Sequence, residues 1–213
     1  MRIITISRQF GSGGRELGKR LSDLLNWDYY DKEIIETLAA EHSMEPDEIR
    51  RALSHHGWNK FQLTYRNSFS HLGFSHDMRT KLLVREREII QEIAGMGSDC
   101  IIVGRDADVI LQDRHPFRIY ACADLQARLA RCLTYEEKKP ADSRLSEKVI
   151  LRNIRRIDKN RAHTREILTG KFRGDASMFD LTVNTAGWEM KPLASALAGF
   201  AAQWFQEQEK ASI

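Results

Sequence analysis

Four short clusters of this chain combine glycine, arginine and carboxylate in patterns that suit the handling of a phosphate. Gly11-Ser12-Gly13-Gly14 follows a β-branched run, Met1 to Ser7, and precedes an amphipathic stretch with Leu17, Leu21, Leu24 and Leu25 at helical spacing. Glycines allow a tight turn that brings several N–H groups to one anion, and the helix that follows aims its dipole and unpaired N–H groups at the same point. Without a ligand the stretch would be a glycine-rich strand-to-helix turn. Asp31 follows Asn26 to Tyr30, a short strand, and precedes Glu33, Ile34, Ile35 and Leu38. It therefore stands at an N-cap and also at the carboxyl end of a strand, the edge where open α/β sheets bind ligands. Gly104-Arg105-Asp106 ends the apolar run Cys100-Ile101-Ile102-Val103, and Asp158 and Arg161 share one side of a basic helix at i, i+3.

The elements that hold these clusters alternate. Asp77 to Ala94 predicts a long helix, with Leu82, Leu83, Ile89, Ile90 and Ile93 on its buried stripe and Gly95 and Gly97 ending it. The continuous apolar run at 99–103 predicts a strand buried on both faces. Phe117 to Cys122 predicts another strand, followed by a helix capped by Asp124 with Leu125, Leu129 and Leu133 on one face. Residues 142–168 read as a basic helical segment, with Arg144, Lys148, Arg152, Arg155, Arg156, Lys159, Arg161 and Arg165. Phe179 to Asn184 reads as the last strand and 192–209 as the closing helix. Alternation of strands and helices predicts a parallel sheet with helices on both faces and a ligand crevice at the carboxyl ends of its strands. The loop glycines, Asp31, Gly104 to Asp106 and the arginines from 155 to 161 are expected to converge there.

Residues 43–77 differ in character. His55, His56, Trp58, Phe61, Tyr65, Phe69, His71, Phe74 and His76 alternate with polar residues. Phe61, Tyr65 and Phe69 make one helical face, read as the core face of a small insertion, and the adjacent His55-His56 pair cannot face one ion from a regular helix.

With 213 residues the chain is long enough for one sizeable α/β domain, 1–213, with an inserted subdomain. A net charge of +3 with 30% charged residues describes a mixed surface, which argues against nucleic acid as the main partner. Cys100, Cys122 and Cys132 sit among apolar residues and read as core residues of a reduced protein rather than as a metal or redox set. No apolar run approaches the ~18 residues that span a bilayer. Met1 leads directly into a strand, and the expected location is cytoplasmic.

Together, Ile4 to Glu16 (I-T-I-S-R-Q-F-G-S-G-G-R-E), Tyr30 to Ile35 (Y-D-K-E-I-I), Ile102 to Asp106 (I-V-G-R-D), Asp158 to Ala162 (D-K-N-R-A) and Asp180 to Thr185 (D-L-T-V-N-T) resemble the cytidylate kinase-like family. The resemblance covers nearly the whole chain apart from 43–77. It implies a three-layer P-loop kinase fold with a five-stranded parallel sheet, a helical monophosphate-binding insertion at 43–95 and a helical lid at about 136–177. It further implies ATP and Mg2+, with Gly11, Ser12, Gly13 and Gly14 cradling phosphates. Arg105 and Asp106 would hold the acceptor, Asp106 accepting a hydrogen bond from the exocyclic amine of cytosine. Asp158 and Arg161 match the lid, where Arg161 meets the transferring phosphoryl group, and Arg155 and Arg156 are candidates for a second lid arginine. Arg79 resembles the arginine that grips the monophosphate, and Asp31 joins the acceptor site.

One departure bears on chemistry. The full phosphate-loop pattern G-x-x-x-x-G-K-[ST] supplies a lysine for the β- and γ-phosphates and a hydroxyl for magnesium. Here Gly14 and Arg15 follow Gly13 at those places, and Arg8 stands where the first glycine would be. A transfer site needs a cation there; Arg15, one position beyond the vacant lysine place in the first helical turn, is expected to supply it as a catalytic residue, with Arg8 as the alternative. The leading expectation is ATP-dependent transfer to CMP or dCMP by a monomer or weak dimer. A catalytically degenerate nucleotide-binding regulator, a kinase of another small acceptor, and a nucleic-acid binder using the basic 144–165 helix are the alternatives.

Overall fold

The computed structural model describes residues 1–32, 34–35, 76–170 and 175–211, with backbone alone for 76–82. The aromatic and histidine-rich stretch at 43–75, including Phe61, Tyr65, Phe69, His55 and His56, lies outside the described residues, as does the side chain of Arg79. In chain order the elements are β1 (Ile3–Arg8), α1 (Gly14–Leu25), β2 (Asp28–Asp31), α2 (His76–Gly95), β3 (Cys100–Val103) and α3 (Ala107–Ile110). They continue with β4 (Phe117–Cys122), α4 (Leu125–Glu137), α5 (Glu147–Thr169), β5 (Leu181–Asn184) and α6 (Met190–Ala211).

The five strands form one sheet in the order β2-β3-β1-β4-β5, every pair parallel. Right-handed crossovers then place α1 on one face and α2, α3, α4 and α5 on the other, because the chain reverses direction across the sheet after β2. α6 returns to pack on α1 and β4. Central β1 is buried along its whole length, so Ile3, Ile4 and Ile6 face helices of both layers. Each fully buried aliphatic side chain contributes about 1.5–3 kcal/mol, which explains a strand without apolar-polar alternation. Cys100 belongs to this core, whereas Cys122 is half-buried.

A second apolar cluster joins Phe10 to Leu129 and Cys132 of α4 and to Ile150 and Ile154 of α5. It ties the turn after β1 to the helical pair that crosses from β4 to β5. Arg165, near the end of α5, is 1% exposed and makes a two-pronged ion pair with Asp108 of α3, Nη1 to Oδ1 at 2.8 Å and Nη2 to Oδ2 at 2.5 Å. Such a pair fixes geometry more than it adds net stability, but removing one partner strands a buried charge. The basic 142–168 segment is thus not a uniformly solvated face.

Asp108→Ala is expected to lower the unfolding free energy by about 3–5 kcal/mol in urea titrations. Asp124→Ala, which removes only the N-cap acceptor of the Ala127 amide in α4, is expected to cost about 1 kcal/mol.

Candidate active site at the carboxyl edge of the sheet

The phosphate-loop candidate is a left-handed turn between β1 and α1. Gly13 is the N-cap of α1 at φ 77°, and Leu17 N–H donates to its carbonyl to close the first helical turn. The N–H groups of Gly14, Arg15 and Glu16 therefore have no intrahelical acceptor, and all three residues line a pocket with Arg8, Gln9, Phe10, Gly11, Gly13, Tyr135 and Arg161. Ser12 turns inward: its hydroxyl donates to the Gln9 carbonyl at 2.9 Å, and its own carbonyl accepts from Thr185 Oγ1 at 2.6 Å. The serine thus locks the turn with its side chain, leaving anion contact to the backbone.

Arg8, the last residue of β1, is 8% exposed. Its stem passes Gly14, where an added Cβ would stand 2.9 Å from the Arg8 Cβ, and its guanidinium lies against Gly104 at the end of β3. Any side chain at Gly104, which has φ 87°, would run into that guanidinium. These two glycines let a cation sit beneath the loop between the ends of the central strands. Arg15 takes another course, its Nε donating to Asp31 Oδ2 at 2.6 Å. The other Asp31 oxygen accepts from the Ile34 amide at 3.2 Å, so Asp31 is both a cap and an arginine partner.

The turn after β3 carries three successive left-handed residues, Gly104, Arg105 (φ 59°) and Asp106 (φ 50°). Two non-glycine residues in that region store conformational energy and accompany functional sites. Arg105 Nη1 lies 3.1 Å from Oε2 of Glu86, a buried carboxylate of α2. Burial pushes the Glu86 carboxyl up to about 8 and lowers the Arg105 guanidinium to about 9. Asp106 Oδ1 accepts from Arg165 Nη1 at 3.3 Å. Half-buried Lys32, next after Asp31, completes the cluster, and its pKa is lowered to about 7 by burial and then by the charges of Arg105 and Arg161.

From the other side α5 reaches the loop. Asp158 Oδ1 accepts from the Phe10 amide at 2.8 Å, and its second oxygen pairs with Arg128, which also donates to the Phe10 carbonyl at 3.2 Å. Arg161 Nη1 donates to the Arg8 carbonyl at 3.0 Å, with its guanidinium 5.9 Å from the Phe10 ring centre. Arg131 of α4 donates to the Gly11 carbonyl at 2.8 Å. At 3.6 residues per turn, 158, 161 and 165 share one face of α5. Arg155 is exposed and, with Arg156, lines a separate surface groove containing Glu147, Lys148, Leu151, Arg152 and Lys159. The expected convergence therefore holds for Arg161 and not for Arg155 or Arg156, because the buried stripe of α5 at Ile150 and Ile154 turns Arg155 outward.

Sequence reasoning did not single out Lys32, Glu86, Asp108, Arg128, Arg131 or Arg165. The i, i+3 pair Arg128 and Arg131 just beyond the β4 strand was the available signal. For Glu86 and Lys32 no local pattern separates them from surface charges.

The model of the cytidylate kinase-like family matches residues 3–187. A curated relative, a cytidylate kinase of Haloarcula marismortui, is 26% identical over 194 residues, covering 91% of this chain and 85% of that protein. Among solved structures, an uncharacterized protein from Eubacterium ventriosum superposes with TM-score 0.67 at 20% identity, over 95% of this chain and 99% of that one. A shikimate kinase from Bacteroides thetaiotaomicron reaches TM-score 0.53 at 13% identity, over 98% of each chain. These structures share the fold.

Gly13→Val is expected to weaken ATP binding by ~10²-fold or more, about 2.7 kcal/mol, with far-ultraviolet circular dichroism unchanged. A β-branched residue resists a φ of 77°, and its Cβ would stand 3.0 Å from Met190 Cε and 3.4 Å from Arg131 Nε. Unchanged ATP affinity in titration calorimetry would remove the loop from the site.

Proposed function

Because the chain belongs to the cytidylate kinase-like family, we propose that it transfers the γ-phosphoryl group of ATP to a nucleoside monophosphate, with CMP or dCMP as acceptor. A phosphate oxygen of the acceptor attacks the γ-phosphorus, the bond to the β,γ-bridging oxygen breaks, and ADP leaves with that electron pair. The observation that carries the reading is the Arg8 guanidinium, held beneath the glycine loop by Gly14 and Gly104 at the meeting of β1, β3 and α1. It supplies a cation next to the loop in a chain without the usual lysine. Arg15 is the weaker candidate for that role, since its Nε already donates to Asp31.

Gly11 to Gly14 and the first amides of α1 hold phosphate oxygens. Arg161 reaches the same loop from α5 and stabilises the charge that spreads over the transferring group. Asp158 acts as a positioning residue, fixing the Phe10 amide. Arg105 and Asp106 face the acceptor from a strained turn. In cytosine recognition the Asp106 carboxylate accepts from the exocyclic amine while Arg165 steadies it. Arg155 and Arg156 take no part.

Magnesium finds no protein-built cage among the described residues. No group of three or more potential ligands gathers there, and Asp158 and Glu16 beside the loop, like Asp31, Glu86 and Asp106 at the strand ends, each face an arginine.

Coupled ADP-release assays against a panel of monophosphates test the reading. Arg8→Met is expected to cut turnover by ~10³-fold with a smaller change in ATP affinity, Arg8→Lys to recover part of it, and Arg15→Ala to cost less than Arg8→Met. The reverse ranking would make Arg15 the loop cation. ATP binding without transfer to any monophosphate would overturn this acceptor class and leave a nucleotide-binding regulator or a kinase of another small acceptor. Separately, Asp106→Asn is expected to raise KM for CMP at least about tenfold more than for UMP, since a base-reading contact discriminates through the polar group left unpaired. Equal losses would make Asp106 structural.

A further inference from the structure

The charged residues of α5 divide between two faces. Asp158, Arg161 and Arg165 meet the loop and α3, whereas Lys148, Arg152, Arg155 and Lys159 on the other side are exposed, with half-buried Arg156 beside them. The spacing i, i+4, i+7, i+11 sets the four exposed cations in one row along the helix, about 16 Å from end to end at ~1.5 Å per residue. Together with Arg156 they line a surface groove whose acidic member is Glu147, in the first turn of the helix. Five cations against one carboxylate give this groove more net positive charge than the whole chain, which stands at +3.

The row is held at a cost to the helix. Lys148 and Arg152, Arg152 and Arg155, Arg152 and Arg156, and Arg155 and Lys159 are like-charge neighbours at i, i+3 or i, i+4, an arrangement that weakens a helix. Cations on other described helices are paired at the same spacings: Lys19 with Asp23, Arg20 with Glu16, Arg85 with Glu88 and Lys210 with Glu207. Among the described residues, Lys148, Arg152, Arg155 and Lys159 make no ion pair. Asp158, three positions after Arg155, turns instead to the Phe10 amide and Arg128. Repulsion without an internal partner is relieved by an external anion, and a row of this length suits a polyanion.

We propose that the outer face of α5, from Lys148 to Lys159, is a docking surface for a nucleic-acid duplex, held through the phosphates of one strand without reading the bases. Charges on one strand recur every ~3.4 Å of duplex axis, so a row of about 16 Å spans about five of them. The cations of the groove match that run. A single strand gains by stacking its bases on aromatic rings, and none lines the groove among the described residues. An acidic protein partner calls for an apolar anchor at the centre of the contact, where this groove offers half-buried Leu151. A membrane takes the apolar side of a helix, and Ile150 and Ile154 are buried within the protein. The groove lies apart from the phosphate loop, so the proposal stands independently of the phosphoryl-transfer reading.

Fluorescence anisotropy of the full chain with a labelled DNA duplex of about 20 base pairs is expected to show affinity falling ~10²-fold between about 50 and about 200 mM salt, the slope of about four phosphate contacts. Arg152→Gln is expected to reduce that slope by about one and to weaken binding ~tenfold at the lower salt. Arg152→Glu places a carboxylate four positions from Lys148 and Arg156 and three from Arg155. It is therefore expected to raise the urea midpoint of the free protein while weakening duplex binding more than Arg152→Gln does. Lys210→Glu, the same change of net charge on α6, is expected to leave duplex affinity within about twofold. ADP release by Arg152→Gln is expected to match that of the wild type; a parallel loss of turnover would return the row to the transfer site and overturn it as a separate surface. No duplex binding at the lower salt, an unchanged slope in Arg152→Gln, or an equal loss in Lys210→Glu overturns the proposal. Tighter binding to the single strand, to polyglutamate or to phosphatidylserine vesicles than to the duplex does the same. So does a lowered midpoint in Arg152→Glu, which would reveal a partner for Arg152 inside the protein.

Discussion

The constraint on which the site depends is the burial of the Arg8 guanidinium at the end of the central strand. A buried guanidinium is tolerated only where its surroundings are shaped to it. Two backbone positions give way here. Gly14 leaves room for the stem as α1 begins, and Gly104 leaves room for the head as β3 ends. The glycine after β3 therefore serves the loop after β1. From Gly104 the chain continues through two more left-handed residues, which throws Arg105 toward Glu86 and Asp106 toward Arg165. The geometry of the turn after β3 is in this sense set by a cation at the end of β1.

α5 links the two sides. Asp158 and Arg161 touch the loop, and Arg165, one turn further, joins Asp106 and Asp108. A helix that carried only the first two contacts could swing away at little cost. With Arg165 buried against Asp108, withdrawing its C-terminal half would break a buried charge pair, a cost of about 3–5 kcal/mol. The 158–165 face of α5 is thereby pinned to the loop and to α3. The exposed Arg152, Arg155 and Lys159 on the opposite side are free of that restraint in the sense that they line only a surface groove.

The edge of the sheet also shows how charge is apportioned without the usual loop lysine and threonine. Asp31, Glu86 and Asp106 each face an arginine, Arg15, Arg105 and Arg165 in turn. Arg8, Arg161 and Lys32 stand among them. Desolvation moves Lys32 and Arg105 down and Glu86 up, each toward its uncharged form, as burial in a low-dielectric corner does to any ionisable group.

The sequence by itself determined the alternation of strands and helices, the glycine turn before α1 and the arrival of Gly104-Arg105-Asp106 at a strand end, because local periodicity and the backbone demands of glycine are written in neighbouring residues. The motif series from Ile4 to Thr185 carried the family, later matched over 3–187. It also favoured Arg15 over Arg8 as the loop cation, because Arg15 stands one position beyond the vacant lysine place. Tertiary structure alone decided which basic residues meet: Arg155 and Arg161 belong to the same charge run, yet only Arg161 reaches the loop, since the choice depends on which face of α5 is covered by Phe10, Leu129 and Cys132. It alone sent Arg15 to Asp31 and Arg165 to Asp108, and it brought Lys32, Glu86 and Arg105 together from three elements. The chain says which side chains are charged, and only the parallel register of β2, β3 and β1 says which of them must share a desolvated corner.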